Sequence, residues 1–266
     1  MTRRVAFVGA GMMGEALARG LLEAGWSAAE LVLADIREDR LAELGNALGV
    51  ATTTDPLEAA TDADGTILAV KPQDASAALD RIAGALGDGG LMSIVAGLRT
   101  SSIEEQLGGK PSVVRAMPNT PARVGSGVTA LTPGRYATDG TKELADAVFS
   151  AVGPVVWLDE EKLDAVTALS GSGPAYLFLV AEALVEAGVA HGLPRDVAET
   201  LAFATIEGSG RMLRETGEPA AVLRAQVTSP GGTTAAALAV LEAKAVRAAF
   251  GEAVRAAHDR SRELGS

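Results

Sequence analysis

Arg4-Val5-Ala6-Phe7-Val8-Gly9-Ala10-Gly11-Met12-Met13-Gly14 is the stretch on which the reading of the chain turns. Its apolar run has the character of a short buried strand, and G-x-G-x-x-G follows without a gap. Residues 15–24 then carry apolar side chains at helical spacing. Glycines at these positions permit a tight turn, close approach of a pyrophosphate to bare backbone, and close helix–strand packing. The phosphates would rest on the free N–H groups and positive dipole end of the helix. Strand, loop and helix in this order are the context that a dinucleotide fingerprint requires. The alternative is a Rossmann-like layer whose loop serves a flavin, a methyl donor or no nucleotide.

Outward from this loop, residues 31–34 read as a second strand ending at Asp35, 21 positions beyond Gly14. An acidic group there accepts hydrogen bonds from the adenosine ribose and favours NAD. Arg37 and Arg40 follow at once, and either suits the 2′-phosphate of NADP, so the cofactor expectation is NADP(H) with NAD(H) possible. Asp35 as a simple cap of the helix beginning near Arg37 is the plainer alternative. Residues 65–70, 91–96 and 112–116 are further strands, alternating with helices over 73–86 and 101–107. That alternation predicts an α/β, Rossmann-type doubly wound layer. Ligands lie beyond the carboxyl ends of such strands. The expected cofactor contacts are therefore Val8, Gly9, Ala10, Gly11, Met12, Met13, Gly14, Asp35, Arg37, Ala69, Val70, Lys71, Pro72, Ala96 and Asn119. In Arg115-Ala-Met-Pro-Asn-Thr-Pro121 two prolines three residues apart predict a non-helical segment, either a wall beside a nicotinamide or a rigid turn. Residues 127–131 and 153–158 look like closing strands around a helix at 141–151.

The texture changes near residue 160, where strand-like runs give way to helical periodicity. Two domains are expected: 1–159, binding NAD(P), and 160–266, an all-α domain for dimerisation and substrate binding. Residues 163–169 predict one helix, broken by Ser170-Gly-Ser-Gly-Pro174. Residues 174–191 are apolar on nearly every face, which predicts a helix buried all round, with a second subunit supplying the cover. Helices over 194–213, 219–226 and 234–264 complete the chain.

Composition narrows the function. A formal charge of −11 over 266 residues argues against nucleic acid and against an anionic membrane surface. No cysteine is present, which removes disulfides, thiolate catalysis and sulfur-ligated metal. Neither His191 nor His258 has metal-ligand spacing, and no metal is expected. The apolar region 175–189 is interrupted by Glu182 and Glu186, which argues against a membrane span. The first strand begins at once, without a signal-type segment, and the expected location is the cytoplasm.

Before the last helix stands Val227-Thr-Ser-Pro-Gly-Gly-Thr-Thr234. Gly231 and Gly232 bring bare backbone forward at a helix N-terminus, a device that holds a small anion such as a carboxylate. Ordinary capping by Thr233 or Thr234 explains the same residues equally well.

Val70-Lys71-Pro72, Arg115–Pro121, Ser170–Tyr176 and above all Ser229–Thr234 resemble the signature segments of pyrroline-5-carboxylate reductase, in order and over nearly the full length. The resemblance implies hydride transfer from NAD(P)H to the cyclic imine 1-pyrroline-5-carboxylate, giving L-proline. It implies a dimer or higher homo-oligomer, with each active site between one subunit's nucleotide domain and its partner's helical domain. Ser229, Gly231, Gly232, Thr233 and Thr234 would hold the substrate carboxylate, Thr234 would act at the ring nitrogen, and Glu160 would approach the ligand. Many members carry small or hydroxyl residues where Asp35 and Arg37 stand, which leaves the choice between cofactors open. A cyclic imine can enter already protonated, so the scarcity of proton donors fits an imine better than a ketone. Rival readings are a related imine reductase, a β-hydroxyacid dehydrogenase, or a non-catalytic NADP-sensing dimer. The hydroxyacid enzymes rely on a lysine in the long interdomain helix, and residues 163–186 contain none.

Overall fold

Side chains alternate across a strand, and β1 (Val5–Val8) uses this to feed both faces of the sheet. Val5 and Phe7 join one buried cluster, while Val8 enters another and Ala6 a third, smaller one. The computed structural model describes residues 3–86 and 89–265. Its elements continue with α1 (Met12–Glu23), β2 (Leu31–Ala34), α2 (Glu38–Leu48), β3 (Ala51–Thr53), α3 (Pro56–Ala60) and β4 (Gly65–Leu68). Next come α4 (Ala75–Ile82), β5 (Gly90–Ser93), α5 (Thr100–Leu107), β6 (Val113–Met117), β7 (Thr129–Pro133), α6 (Asp139–Ser150) and β8 (Val155–Trp157). The remainder is helical: α7 (Leu163–Val166), α8 (Gly173–Ala190), α9 (Arg195–Glu215), α10 (Ala220–Gln226), α11 (Thr233–Ala243) and α12 (Val246–Leu264).

The strands form one sheet in the order β3-β2-β1-β4-β5-β6-β7-β8. Strands β3 to β6 are parallel, β7 runs antiparallel to β6, and β8 is parallel to β7. The first six strands have the doubly wound order, with the reversal of connection between β1 and β4. Leu17 and Leu21 of α1, Leu41 and Leu44 of α2, and Val148 and Phe149 of α6 cover one face with Phe7 and Leu33. Leu79 and Ile82 of α4 and Ile103 of α5 cover the other with Leu68 and Leu91.

The chain divides into two compact units, Met1–Ser172 with Ala257–Ser266, and Gly173–Ala256. The sequence boundary near 160 falls inside the first of these. In the second unit α8 and α9 pack through Val185, Ala198 and Ala202, with Val189 beside them.

Four local expectations are corrected. The edge strand β3 and the short α3 are additional elements; Asp55 caps α3 by accepting from Leu57 N at 3.0 Å. Thr120–Val124 forms a 3₁₀ helix despite the paired prolines, because Pro121 stands in its first turn, where a missing N–H is harmless. Ser170–Pro174 does not break the helix. A π-helical turn, Thr167–Gly171, carries it into α8, closed by Ser172 N donating to Thr167 O at 2.8 Å. The expected single helix over 234–264 is two, parted at Ala245, whose φ is +54°. As to the apolar 174–191 segment, the single chain buries only Pro174, Ala181 and Val185 of α8, and leaves Leu177, Phe178, Leu179 and Leu184 exposed.

Candidate active site

Gly9 closes β1 with φ +106°, a conformation that side chains rarely adopt, and a Cβ there would meet the Ala69 carbonyl at 2.5 Å. Its N–H donates to Ala34 O at 2.8 Å, which seats the loop on the end of β2. Gly11 is the N-cap of α1, with no side-chain capping bond, and among the described residues nothing lies within 4 Å of a Cβ placed on it. The start of α1 thus has no side-chain cap and open space beside Gly11, and the reversal point between β1 and β4 places it at the strand ends. An uncapped helix start with room above it fits a pyrophosphate. Val8 is buried beneath the loop, whereas Met12 is 69% exposed on its rim.

Asp35 stands where the sequence places it, at the tip of β2. Its Oδ2 accepts from Ala10 N at 2.8 Å, and its Oδ1 accepts from the backbone N of Arg37 at 3.0 Å and from Arg37 Nε at 3.3 Å. The N-cap position of α2 belongs to Arg37, without a side-chain capping bond, so Asp35 is not that helix's cap. Arg40 points back to the glycine loop, its Nε donating to Ala10 O at 3.2 Å. Ala69 and Val70 are half-buried after β4, and Lys71 and Pro72 are exposed. Ala96 is exposed beyond β5. The Asn119 carboxamide is engaged within the protein. It donates to Ser170 O at 3.2 Å and accepts from Val128 N at 2.9 Å, tying the β6–β7 connection to the π turn.

Glu160 has both carboxylate oxygens in use. Oε1 accepts from Thr100 N at 2.9 Å and Arg115 Nη1 at 3.0 Å, and Oε2 accepts from the Thr100 hydroxyl at 2.8 Å. Burial pushes its pKa up, but the bonds from Thr100 and Arg115 outweigh burial and hold it below the ordinary carboxyl value. Glu160 and Arg115 line a cavity of about 520 Å³ together with Arg99, Thr132, Asp164 and Arg262. Spacing alone could not join Glu160 to Thr100 or Arg115, because the partners are 60 and 45 residues away.

In the second unit, Ser229–Gly232 is a turn closed by Gly232 N donating to Ser229 O at 3.0 Å. Pro230 fits its second position, and Gly231, at φ +70°, supplies the left-handed third. Gly232 is the N-cap of α11, with no side-chain capping bond. Thr233 and Thr234 open the helix and do not cap it; the capping alternative is not realised. The start of α11 is therefore a second uncapped N-terminus under a glycine turn, with hydroxyls in its first turn.

Comparison with known proteins gives concordant matches. The family model for pyrroline-5-carboxylate reductase dimerisation matches residues 160–264, and that for NADP oxidoreductase coenzyme F420-dependent matches residues 4–97. The pyrroline-5-carboxylate reductase of Corynebacterium melassecola is 44% identical over 265 residues, covering 98% of either chain. That of a Synechocystis species is 42% identical, covering 100% of this chain and 99% of its own. Among solved structures, a pyrroline-5-carboxylate reductase from Coxiella burnetii matches with a TM-score of 0.95 at 38% identity over the whole of both chains. The Plasmodium falciparum pyrroline carboxylate reductase with NADP bound matches with a TM-score of 0.87 at 32% identity, over 99% of this chain and 98% of its own.

Proposed function

The chain belongs to the pyrroline-5-carboxylate reductase family, and from that membership we propose how its two glycine loops divide the work of reducing a cyclic imine. The enzyme reduces 1-pyrroline-5-carboxylate to L-proline with NADP(H). When bound, the dihydronicotinamide supplies a hydride to C5 of the imine, and the ring nitrogen ends with a proton.

Gly9, Ala10, Gly11, Met12, Met13 and Gly14 hold the pyrophosphate on the uncapped start of α1. Asp35 and Arg37 border the adenosine ribose, one suited to bare hydroxyls and the other to a 2′-phosphate. Val8, Ala69, Val70, Lys71, Pro72 and Ala96 form the rim along the strand ends, with Asn119 bracing the β6–β7 connection. Ser229, Gly231, Gly232 and Thr233 hold the substrate carboxylate at the start of α11, and the Thr234 hydroxyl orients the ring nitrogen or relays its proton. Glu160 supports the site through Thr100 and Arg115, and its occupied oxygens favour that part over direct substrate contact.

A cyclic imine can arrive already protonated at nitrogen, which makes placement the main task. Fixing two reactants in near-attack geometry supplies about 7–11 kcal/mol. The observation that carries this reading is the presence in one chain of two glycine-led, uncapped helix starts, one for a dinucleotide and one for a carboxylate.

The chain is a homo-oligomer through its helical part, and we assign a dimer as its unit and the cytoplasm as its location. The helix running through Glu160–Ala190 is long and apolar enough to cross a membrane by length and composition, and it falls within the matched dimerisation segment. Its apolar surface is therefore assigned to a second copy.

The test is oxidation of NADPH and of NADH, each offered with pyrroline-5-carboxylate. Imine-dependent oxidation is expected with at least NADPH. Nucleotide binding without turnover would return the protein to a sensing dimer, and turnover only with β-hydroxyacids would return it to that class.

A further inference from the structure

On sequence alone Arg37 and Arg40 are equivalent partners for a 2′-phosphate. The structure separates them. The Arg37 side chain is 53% exposed and rests on Asp35 through Nε. Arg40 is 16% exposed, and its guanidinium is committed on three sides. Nε donates to Ala10 O at 3.2 Å, Nη1 donates to Glu43 at 2.7 Å, and Nη2 is bonded to Glu15. The N–H of the same Ala10 donates to Asp35. Both polar backbone atoms of the residue between Gly9 and Gly11 are thus held by the segment that follows β2.

Two glycines make this loop costly to order, and ordering it before the ligand arrives improves binding. Glu15 adds a second difficulty. It stands in the first turn of α1, where a carboxylate suits the helix dipole but repels a pyrophosphate seated at the same helix start. Burial raises its pKa, yet bonds from Arg19 and Arg40 hold the carboxyl below its ordinary value, so it is charged at neutral pH. Its charge is offset by Arg19 at 2.8 Å and by Arg40.

We propose that Arg40 is a positioning residue for the dinucleotide loop, fixing the Ala10 carbonyl and offsetting Glu15, and that it does not read the 2′-phosphate. This rests on the NADP(H) assignment above.

The test is calorimetric titration of full-length protein with NADPH and with NADH, joined to steady-state kinetics, for Arg40→Gln, Arg40→Lys, Arg37→Gln and the double variant Glu15→Gln/Arg40→Gln. Arg40→Gln is expected to weaken both cofactors by about tenfold, the scale of a lost hydrogen bond to a charged group, with their affinity ratio and kcat at saturation unchanged. Arg40→Lys keeps the charge without the planar fork and falls between. The double variant regains part of the loss, because the uncompensated carboxylate has gone. Arg37→Gln changes the affinity ratio. Weakening of NADPH alone in Arg40→Gln would overturn the proposal, as would unchanged affinities in a protein of lower Tm. If the wild type binds neither cofactor, the NADP(H) assignment itself fails, and this is read before any variant.

Discussion

Asp35 carries two duties that one substitution can separate. Its Oδ2 fastens the Ala10 N–H and its charge meets whatever occupies the ribose position. Asp35→Asn keeps a carbonyl oxygen for Ala10 while removing the charge that opposes a 2′-phosphate. The expected result is a rise in the kcat/KM ratio for NADPH over NADH of about fivefold, the scale of about 1 kcal/mol for a partly exposed charge pair. An unchanged ratio, measured with both cofactors on one preparation, would leave Asp35 as a fastener only. Thr234 is separated in the same manner. Because Gly232 is the N-cap of α11, Thr234→Val removes a hydroxyl without removing a cap, and Tm should barely move. If the hydroxyl orients or protonates the imine, kcat should fall by ~10²–10⁴-fold, as for a positioned proton donor. A rise in KM with kcat intact would restrict Thr234 to binding, and wild-type kinetics would remove it from the site.

Elements, more than residues, show what the sequence could disclose. Strands β1, β2, β4 and β5 are buried along their whole length; β1 and β2 are unbroken apolar runs, and in β4 and β5 only Thr66 and Ser93 interrupt the small and apolar residues, so each is legible as a buried strand. Ala51-Thr52-Thr53 lies at the sheet edge, mostly exposed, and offers no such run. Ser170-Gly-Ser-Gly-Pro174 has the composition of a loop. The helix continues there as the backbone widens to a π turn, and the Thr167 and Ser170 hydroxyls donate to Leu163 O and Val166 O, each four residues back, so their polar groups are satisfied within the helix. At Ala245 neither glycine nor proline announces the break, and the left-handed conformation is visible only in the backbone. Both glycine loops of the candidate site were legible because their geometry demands glycine, whereas their supports are contacts between distant segments. Glu160 likewise joins distant segments, anchoring the N-terminus of α5 to Arg115 of β6. With its folded pKa depressed, the stabilisation it gives is full above the ordinary carboxyl value of about 4.5 and is lost as pH falls through the lower folded value. Glu160→Gln should therefore lower stability at pH 7 by roughly 2 kcal/mol, leaving Arg115 buried without its partner. Urea unfolding of both proteins from pH 7 to pH 3 checks this, and a gap that stays constant with pH would exclude the ion pair as its source.

At the scale of the whole molecule the two compact units face different folding problems. The first has a sheet covered on both faces and the large clusters that such layering provides. The second, Gly173–Ala256, has as its buried cluster only Val185, Ala198 and Ala202. So small a core does not offset the entropy of ordering a segment of that length. Meanwhile Leu177, Phe178, Leu179 and Leu184 on α8, Leu201 and Phe203 on α9, and Val240 and Leu241 on α11 lie exposed. Leu177 and Leu184 share one side of α8 while Leu179 projects from another, so a single neighbouring helix would not cover them all. In the dimer proposed above, a second copy covering these helices would supply the missing core, and folding of the unit and association would become one event. Dimer dissociation and loss of the helical structure should then coincide, and Tm should rise with protein concentration. Light scattering of the full chain at low micromolar concentration should give an even multiple of 26.9 kDa. With a formal charge of −11 on each copy, moderate salt should tighten the association by screening repulsion. Leu184→Glu would place an unpaired carboxylate in the apolar interface, at a cost of several kcal/mol. It should shift the population toward monomer with partial loss of helix, leaving the Gly9–Gly14 loop able to bind nucleotide. A monodisperse monomer of the unaltered chain, with a Tm independent of concentration, would sink this account and leave the exposed leucines and phenylalanines unexplained.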